Sequence, residues 1–209
     1  MSVTSHKGPG RPKDPAKGEA ILQAASLLFL NQGYQGTSME AVARSAGVSK
    51  LTVYSHFNGK EELFAAAIGN VCKSRLPDVL FQPQDHEPLE QRLFIIGEAI
   101  FKLTNSPESI ALYRLLMGLS TSESDLAERF YEAGPQQVLK GLERLLKHAK
   151  QQSLLAITDT TRAAQHFLNL LNGSSHFLLT LGCVSAAPKI SEHEHIQEVV
   201  ALFLNAYRP

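Results

Sequence analysis

Hydrophobic residues recur every three to four positions along almost the whole chain beyond residue 13. This spacing is typical of one face of an amphipathic helix, and no stretch shows the sustained apolar–polar alternation of a half-buried strand. Glycine, proline and helix-capping residues divide the pattern into about nine segments. The sequence therefore predicts an all-α protein of about nine helices.

Composition shifts divide the chain into three parts. Residues 1–13 are polar and rich in Gly and Pro, which predicts a flexible basic arm. Residues 14–75 carry short helical segments and form the predicted N-terminal domain. Three prolines fall in residues 77–88, which predicts a linker or a long loop, so we place a helical C-terminal domain at 76–209.

A helix-turn-helix is predicted from about Ser38 to Phe57. Ala46-Gly47-Val48 joins two short helical segments, and Gly47 can adopt the positive φ that such a turn needs. Thr37 and Glu40 have the T-x-x-E spacing of a capping box at the start of the first segment. The exposed face of the second segment is compact and polar, as entry into the major groove of DNA requires. That face consists of Ser49, Lys50, Thr52, Tyr54 and His56.

Overall composition excludes several classes of protein. The chain has 209 residues, 44% of them hydrophobic, which is enough apolar surface to form a core. Two cysteines exclude a disulfide framework, and no apolar run suggests a membrane span or a secretory signal. We therefore expect a cytoplasmic protein. The net charge is zero, yet residues 1–60 hold seven Lys and Arg against three Asp and Glu, which favours a polyanionic partner for the N-terminal part.

The run from Lys17 to Ile68 resembles the DNA-binding domain of the TetR/AcrR family of transcriptional regulators in both order and spacing. The resemblance rests on Ile21-Leu22-Gln23-Ala24-Ala25, Phe29, Gly33-Tyr34, Thr37-Ser38, Ala46-Gly47-Val48-Ser49-Lys50, Val53-Tyr54, His56-Phe57 and Lys60-Glu61-Glu62-Leu63. The region Leu112–Gly173 resembles the AefR-like subgroup of that family.

The resemblance implies a set of DNA contacts. Thr37 would offer its hydroxyl and backbone N–H to a phosphate, and Leu51 would touch a thymine methyl or cover the groove wall, where the family often has a small residue. In the N-terminal arm, Arg11 either enters a narrow minor groove or remains solvated. The implied DNA-contacting residues are Arg11, Lys13, Thr37, Arg44, Ser49, Lys50, Leu51, Thr52, Tyr54, His56 and Lys60.

The resemblance also implies a homodimeric, ligand-responsive repressor bound to a pseudo-palindromic operator. We expect helices near 159–182 and 190–207 to pair with their copies, through Leu171, Phe177, Leu178, Val199 and Phe203. An apolar pocket in the C-terminal domain would bind a small apolar or aromatic effector. Its candidate lining residues are Phe94, Phe101, Tyr113, Met117, Phe130, Phe167 and His176.

Other functions find less support in the sequence. It lacks the G-x-S-x-G, phosphate-loop and H-E-x-x-H motifs, so we expect neither an enzyme nor a cofactor. His193 and His195 are two positions apart and do not share a helical face, so no metal site is predicted. Cys72 and Cys183 are interpreted as small buried hydrophobic residues rather than a redox pair. An architectural DNA-binding protein remains the alternative, although the near-neutral charge is unfavourable for non-specific binding.

Overall fold

The computed structural model describes residues 14–84, 87–118, 124–183 and 190–209. Within these ranges the chain forms ten α-helices, one more than the approximate number expected, and no β-strand. The helices are α1 (Pro15–Gly36), α2 (Met39–Ser45), α3 (Lys50–His56), α4 (Lys60–Arg75), α5 (Leu89–Thr104), α6 (Pro107–Met117), α7 (Ser124–Ala133), α8 (Pro135–Gln151), α9 (Thr160–Leu181) and α10 (Glu192–Ala206), with a short 3-10 helix at Asp78–Phe81. The all-α prediction is confirmed. None of the described helices is long and apolar enough to span a membrane.

Side-chain caps begin several of these helices. Ser49 accepts a hydrogen bond from the backbone N–H of Thr52, and Ser191 and Glu194 form the complete capping box of α10. The box predicted at Thr37 and Glu40 is wrong, because the N-cap of α2 is the neighbouring Ser38. Its hydroxyl oxygen accepts from the N–H of residue 41, three positions further on, at 3.1 Å.

Helices α1 to α4 form an N-terminal unit, called the head below. Its core contains an aromatic cluster in which the Phe64 ring lies edge-on to both Phe29 and Tyr34, each at a centroid distance of 5.2 Å. Val42 of α2 and Val53 of α3 are fully buried in the same core. The core also includes Leu112 of α6 and Leu126 of α7, so the head packs directly onto the C-terminal helices.

Helices α5 to α10 form the C-terminal unit, called the body. A second core lies among α5, α8, α9 and α10, where the rings of Phe167 and Phe203 meet edge-to-face at 5.2 Å. Phe81 of the 3-10 helix is buried in this core and packs tightly over Gly141 of α8. The 3-10 helix therefore fixes the first part of the predicted linker or long loop to the body, because it contributes a large apolar side chain to that core.

Two glycines adopt a positive φ at positions where the direction of the chain changes. Gly47, in the turn between α2 and α3, has φ +66°, as the sequence predicts. Gly173 interrupts α9 with φ +53° and ψ −165°, a conformation that is open essentially to glycine alone. This kink divides α9 into two segments of different direction, and the apolar periodicity of the sequence does not reveal it.

Candidate nucleic-acid interface and internal cavity

Helix α3 presents four exposed side chains on one side, while Val53 anchors the other side in the head core. We call Lys50, Leu51, Tyr54 and Ser55 the α3 face. Leu51 is 80% exposed, so its apolar side chain contributes almost nothing to the core of its own chain. An aliphatic group presented in this way suits contact with the methyl group of thymine in the major groove.

The charge on the α3 face is neutralised within the head. The Lys50 ammonium forms an ion pair with the Glu40 carboxylate of α2 and lies 5.8 Å from the centroid of the Tyr54 ring. The hydrogen bond with Lys50 lowers the pKa of Glu40, and the same bond raises the pKa of Lys50. Both groups therefore remain ionised at neutral pH.

Other predicted DNA contacts surround this face. Arg44 is exposed in the last turn of α2. The hydroxyls of Ser49 and Thr52 lie 2.8 Å apart at the start of α3. His56 is half-buried, with its ring against Gly18 of α1. Side chains at these positions are suitably placed to contact the edge of a DNA groove. Their contacts with DNA remain predictions.

Lys60 lies at the first position of α4. Its ammonium is 4.3 Å from the centroid of the Tyr34 ring, and partial burial lowers its pKa. Arg11 and Lys13 of the predicted arm lie outside the described residues.

Thr37 does not lie where a phosphate can reach it. Its side chain is 2% exposed, and its hydroxyl donates to the carbonyl of Gly33 at 2.9 Å. Its backbone N–H donates to the carbonyl of Tyr34. The phosphate contact predicted for Thr37 is therefore wrong, because both of its donors are already paired inside the head.

Sequence reasoning missed two residues of this region. Ser55 follows Leu51 by four positions, a spacing that places both on one side of a helix, so the pattern contained the signal. Glu40 belongs to a different helix from Lys50, and periodicity within either helix carries no information about their contact.

A cavity of about 120 Å³ lies between the head and the body. Leu30 of α1 and Ile68 of α4 line it from the head, while side chains of α5 to α9 line it from the body. Its surface is mainly apolar, and its described lining contains no charged side chain. The uncharged polar groups that face it belong to Thr104, Ser109, Tyr113 and Asn172.

Hydrogen bonding and burial keep the cavity neutral. The Thr104 hydroxyl lies 3.0 Å from the carbonyl oxygen of Ile100 and 3.2 Å from Oδ1 of Asn172. Burial raises the pKa of the Tyr113 phenol and raises that of the Cys72 thiol to about 11. The cavity wall is therefore uncharged at neutral pH and offers no counter-ion to a charged ligand.

Only part of the predicted pocket lines this cavity. Tyr113 and Phe130 do, with their rings edge-to-face at a centroid distance of 5.6 Å. His176 packs edge-on behind Tyr113 at 5.2 Å, and burial lowers its pKa, so that ring is neutral as well. His176 supports the cavity wall without forming part of it.

The remaining predicted pocket residues lie elsewhere, and these assignments are corrected. Phe167 is fully buried in the body core, and Met117 is 66% exposed. Phe94 and Phe101 pack against the imidazole rings of His193 and His195 on α10. An apolar residue at helical spacing is found in a packed core more often than beside a void, and here the core accounts for most of these aromatic residues.

The predicted dimer contacts also divide into two groups. Leu171, Val199 and Phe203 are buried in the body of a single chain, so their assignment to the dimer interface is wrong. Phe177 is exposed and Leu178 half-buried. An exposed apolar set on the same two helices consists of Leu170, Phe177, Leu181 and Leu202, called the α9–α10 face below.

Two family models match the chain. The model for the C-terminal domain of AefR-like transcriptional repressors matches residues 91–209, more than half of the chain. The model for bacterial regulatory proteins of the tetR family matches residues 21–67. The chain belongs to the TetR family of transcriptional regulators. The match to the tetR-family model lies within the head, and the match to the AefR-like C-terminal domain lies within the body.

Individual relatives agree with this assignment. SrpR, an HTH-type transcriptional regulator of Pseudomonas putida, is 27% identical over 156 residues, which is 74% of this chain and 71% of that protein. The solved structure of the flavonoid-responsive regulator FrrA is 31% identical, covers 94% of this chain and 99% of its own, and superposes with a TM-score of 0.71. A TetR-family regulator from Mesorhizobium loti is 25% identical with a TM-score of 0.73, covering 95% of this chain and 100% of its own.

These findings establish the class of the protein. It is a DNA-binding transcriptional regulator of the TetR family and not an enzyme.

Proposed function

We propose that this TetR-family protein is a ligand-responsive repressor that binds a two-fold symmetric operator as a homodimer. A small neutral molecule entering the cavity would release it from DNA. The observation that supports this most strongly is the position of the cavity, which is lined by helices of both the head and the body and carries no charge.

The α3 face would read base edges while the residues around it contact the phosphate backbone. We retain Arg44, Ser49, Lys50, Leu51, Thr52, Tyr54, His56 and Lys60 as DNA contacts, with Arg11 and Lys13 of the arm as minor-groove candidates. One helix-turn-helix reads only a few base pairs, so two copies would bind half-sites about one helical turn, or a small multiple, apart. Because the target is chromosomal DNA, we place the protein in the cytoplasm.

The α9–α10 face would form the dimer interface. Leu170, Phe177 and Leu202 are exposed apolar side chains on two adjacent helices, and such a patch on a DNA-binding protein favours burial against a second copy. Pairing of α9 and α10 with their copies would produce a four-helix bundle and leave both α3 faces accessible.

The effector would be about the size of one aromatic ring. A cavity of about 120 Å³ is close to the engineered apolar cavity of about 150 Å³ that binds benzene. The neutral lining disfavours an anion or a cation, while Thr104 and Asn172 offer hydrogen-bonding groups to a hydroxyl. FrrA is named for its response to flavonoids, which supports an aromatic effector here as well.

Helix α6 would transmit effector binding from the body to the head. Its Leu112 belongs to the core of the head, and Ser109 and Tyr113 line the cavity. Arg114 ties the same helix to α9, donating from Nε to the carbonyl of Thr180 at 2.8 Å and from Nη2 to that of Leu179 at 2.6 Å. A ligand that displaces α6 would change the spacing of the two α3 faces and hence the fit to the half-sites.

Repression follows from steric exclusion of RNA polymerase by a dimer on its operator. Among the relatives, IcaR of Staphylococcus aureus is named as a negative regulator, with 25% identity over 54% of this chain and 69% of that protein. FasR of Mycolicibacterium smegmatis is named as an activator, and its 38% identity covers 46% of this chain and 44% of that protein. The longer coverage by a repressor favours repression.

A matched pair of one-ring compounds tests the effector site. Benzyl alcohol is neutral and benzoate is a similarly sized anion. Benzyl alcohol, at a concentration about tenfold above its Kd for the protein, should raise the melting temperature of the protein by about 2–4 °C. Benzoate at the same concentration should leave that melting temperature unchanged. Val138→Phe, which places a ring in the cavity, should abolish this thermal response to benzyl alcohol.

Equal stabilisation by benzoate would contradict the assignment of a neutral effector. Stabilisation by neither compound would contradict the one-ring size, and a response retained in the Val138→Phe variant would contradict the position of the site.

A further inference from the structure

The ion pair between Glu40 and Lys50 connects the starts of the two helices of the helix-turn-helix. Glu40 lies in the first turn of α2, and Lys50 is the first residue of α3. Their side chains are 52% and 55% exposed, so the pair lies on the surface of the head and not in its core. An exposed pair of this kind contributes little to folding stability.

Lys50 is the one Lys or Arg of α3, and α3 contains no Asp or Glu. Its ammonium is therefore the main electrostatic attraction that this helix offers to a phosphate. In the DNA-free protein that ammonium contacts the Glu40 carboxylate. A phosphate that binds Lys50 competes with the carboxylate for the same positive charge, and the carboxylate then stands close to a polyanion.

We infer that Glu40 is a built-in competitor of DNA, an autoinhibitory contact that occupies Lys50 and lowers the affinity of the head for DNA of any sequence. The inference rests on the proposed assignment of Lys50 to the DNA interface. The α3 face retains Leu51 and Tyr54 for contacts that do not depend on this charge. Glu40 thus weakens the sequence-independent attraction, which phosphate contacts dominate, while base contacts are preserved.

The effect is measurable without knowledge of the operator, because phosphate contacts are common to all duplexes. A short fluorescein-labelled duplex of arbitrary sequence serves as the probe, with binding of the full-length protein followed by anisotropy across a series of salt concentrations. Glu40→Gln preserves the shape of the side chain and removes its charge. Glu90→Gln, at an exposed position of α5 in the body, is the matched control for the change in net charge.

Glu40→Gln should bind the duplex about two- to tenfold more tightly at low salt, and the slope of log affinity against log salt should steepen by about one per protomer. Glu90→Gln should change neither quantity by a comparable amount. Unchanged or weaker binding by Glu40→Gln would overturn the inference, and weaker binding would instead make Glu40 a residue that positions Lys50.

The Lys50→Ala background separates this inference from the assignment on which it rests. Lys50→Ala alone should weaken binding, and adding Glu40→Gln should then produce less than half of its effect in the parent protein. If Glu40→Gln tightens DNA binding equally in the parent protein and in Lys50→Ala, the competition for Lys50 is contradicted. Direct repulsion between Glu40 and DNA would then explain the tighter binding. If Lys50→Ala leaves binding unchanged, the proposed role of Lys50 fails first.

Discussion

The two cysteines illustrate how strongly local surroundings determine the chemistry of a residue. Cys72 of α4 lines the cavity, and burial raises the pKa of its thiol to about 11. Cys183 is exposed just beyond the end of α9. The interpretation of both as buried hydrophobic residues is therefore wrong for Cys183, because the chain leaves the helix at Gly182 before that side chain can pack.

This contrast predicts different rates of alkylation. At pH 8 only about one Cys72 in a thousand is a thiolate, the form that reacts with iodoacetamide, so Cys183 should be modified much faster. Peptide mass spectrometry over time measures both rates in one sample, and Cys183→Ser isolates the slower reaction. Modification of Cys72 as fast as that of Cys183 would contradict the burial of the cavity wall.

At the residue scale the sequence predicts caps and faces better than it predicts pairings. Ser49 and Ser191 cap helices as expected, because capping is local. Thr37 and Ser38 are neighbours with equivalent chemistry, and the choice between them depends on a tertiary environment that buries Thr37. The pairing of Glu40 with Lys50 depends on the packing of one helix against another, which residue spacing does not encode.

Helices α9 and α10 show the same limit for whole elements. Apolar residues cover more than one side of each helix, and periodicity identifies them without showing which side faces outward. The structure buries Leu171, Val199 and Phe203 and exposes Leu170 and Leu202 on neighbouring sides. We propose the same two helices for pairing, with contact residues on the exposed side.

A charge on the α9–α10 face should disrupt the proposed dimer. Leu202→Glu places a carboxylate at a side chain that is 59% exposed in the single chain, so the fold should persist while the interface loses apolar contact. Sedimentation velocity should show a shift from dimer to monomer and a dimer Kd raised at least about tenfold. The matched control is Val79→Glu, at a 52% exposed position of the 3-10 helix, which should remain dimeric.

A Leu202→Glu variant that sediments like the parent protein would place the interface elsewhere. A parent protein that sediments as a monomer would contradict the proposed dimer itself.

For the whole molecule, the decisive feature is the junction between head and body. Leu30 and Asn172 line the same cavity although they are far apart in the chain. Residues of seven helices enclose this cavity, so its position depends on how all seven pack together. The all-α architecture and the DNA-binding head are readable from the sequence, because both depend on local periodicity and short-range motifs. The location of the cavity depends on long-range packing, which explains why only Tyr113 and Phe130 of the predicted pocket line it.

Selection of genomic DNA by the purified protein tests sequence-specific regulation most directly. Fragments of the genome that encodes it are incubated with the protein at physiological salt, and the bound fraction is sequenced. We predict strong enrichment of a two-fold symmetric motif with half-sites about one helical turn, or a small multiple, apart. The enrichment should be lost with Lys50→Ala or Tyr54→Ala, while each variant keeps the melting temperature of the parent. A bound fraction indistinguishable from the input DNA would contradict sequence-specific regulation by the α3 face and favour an architectural role.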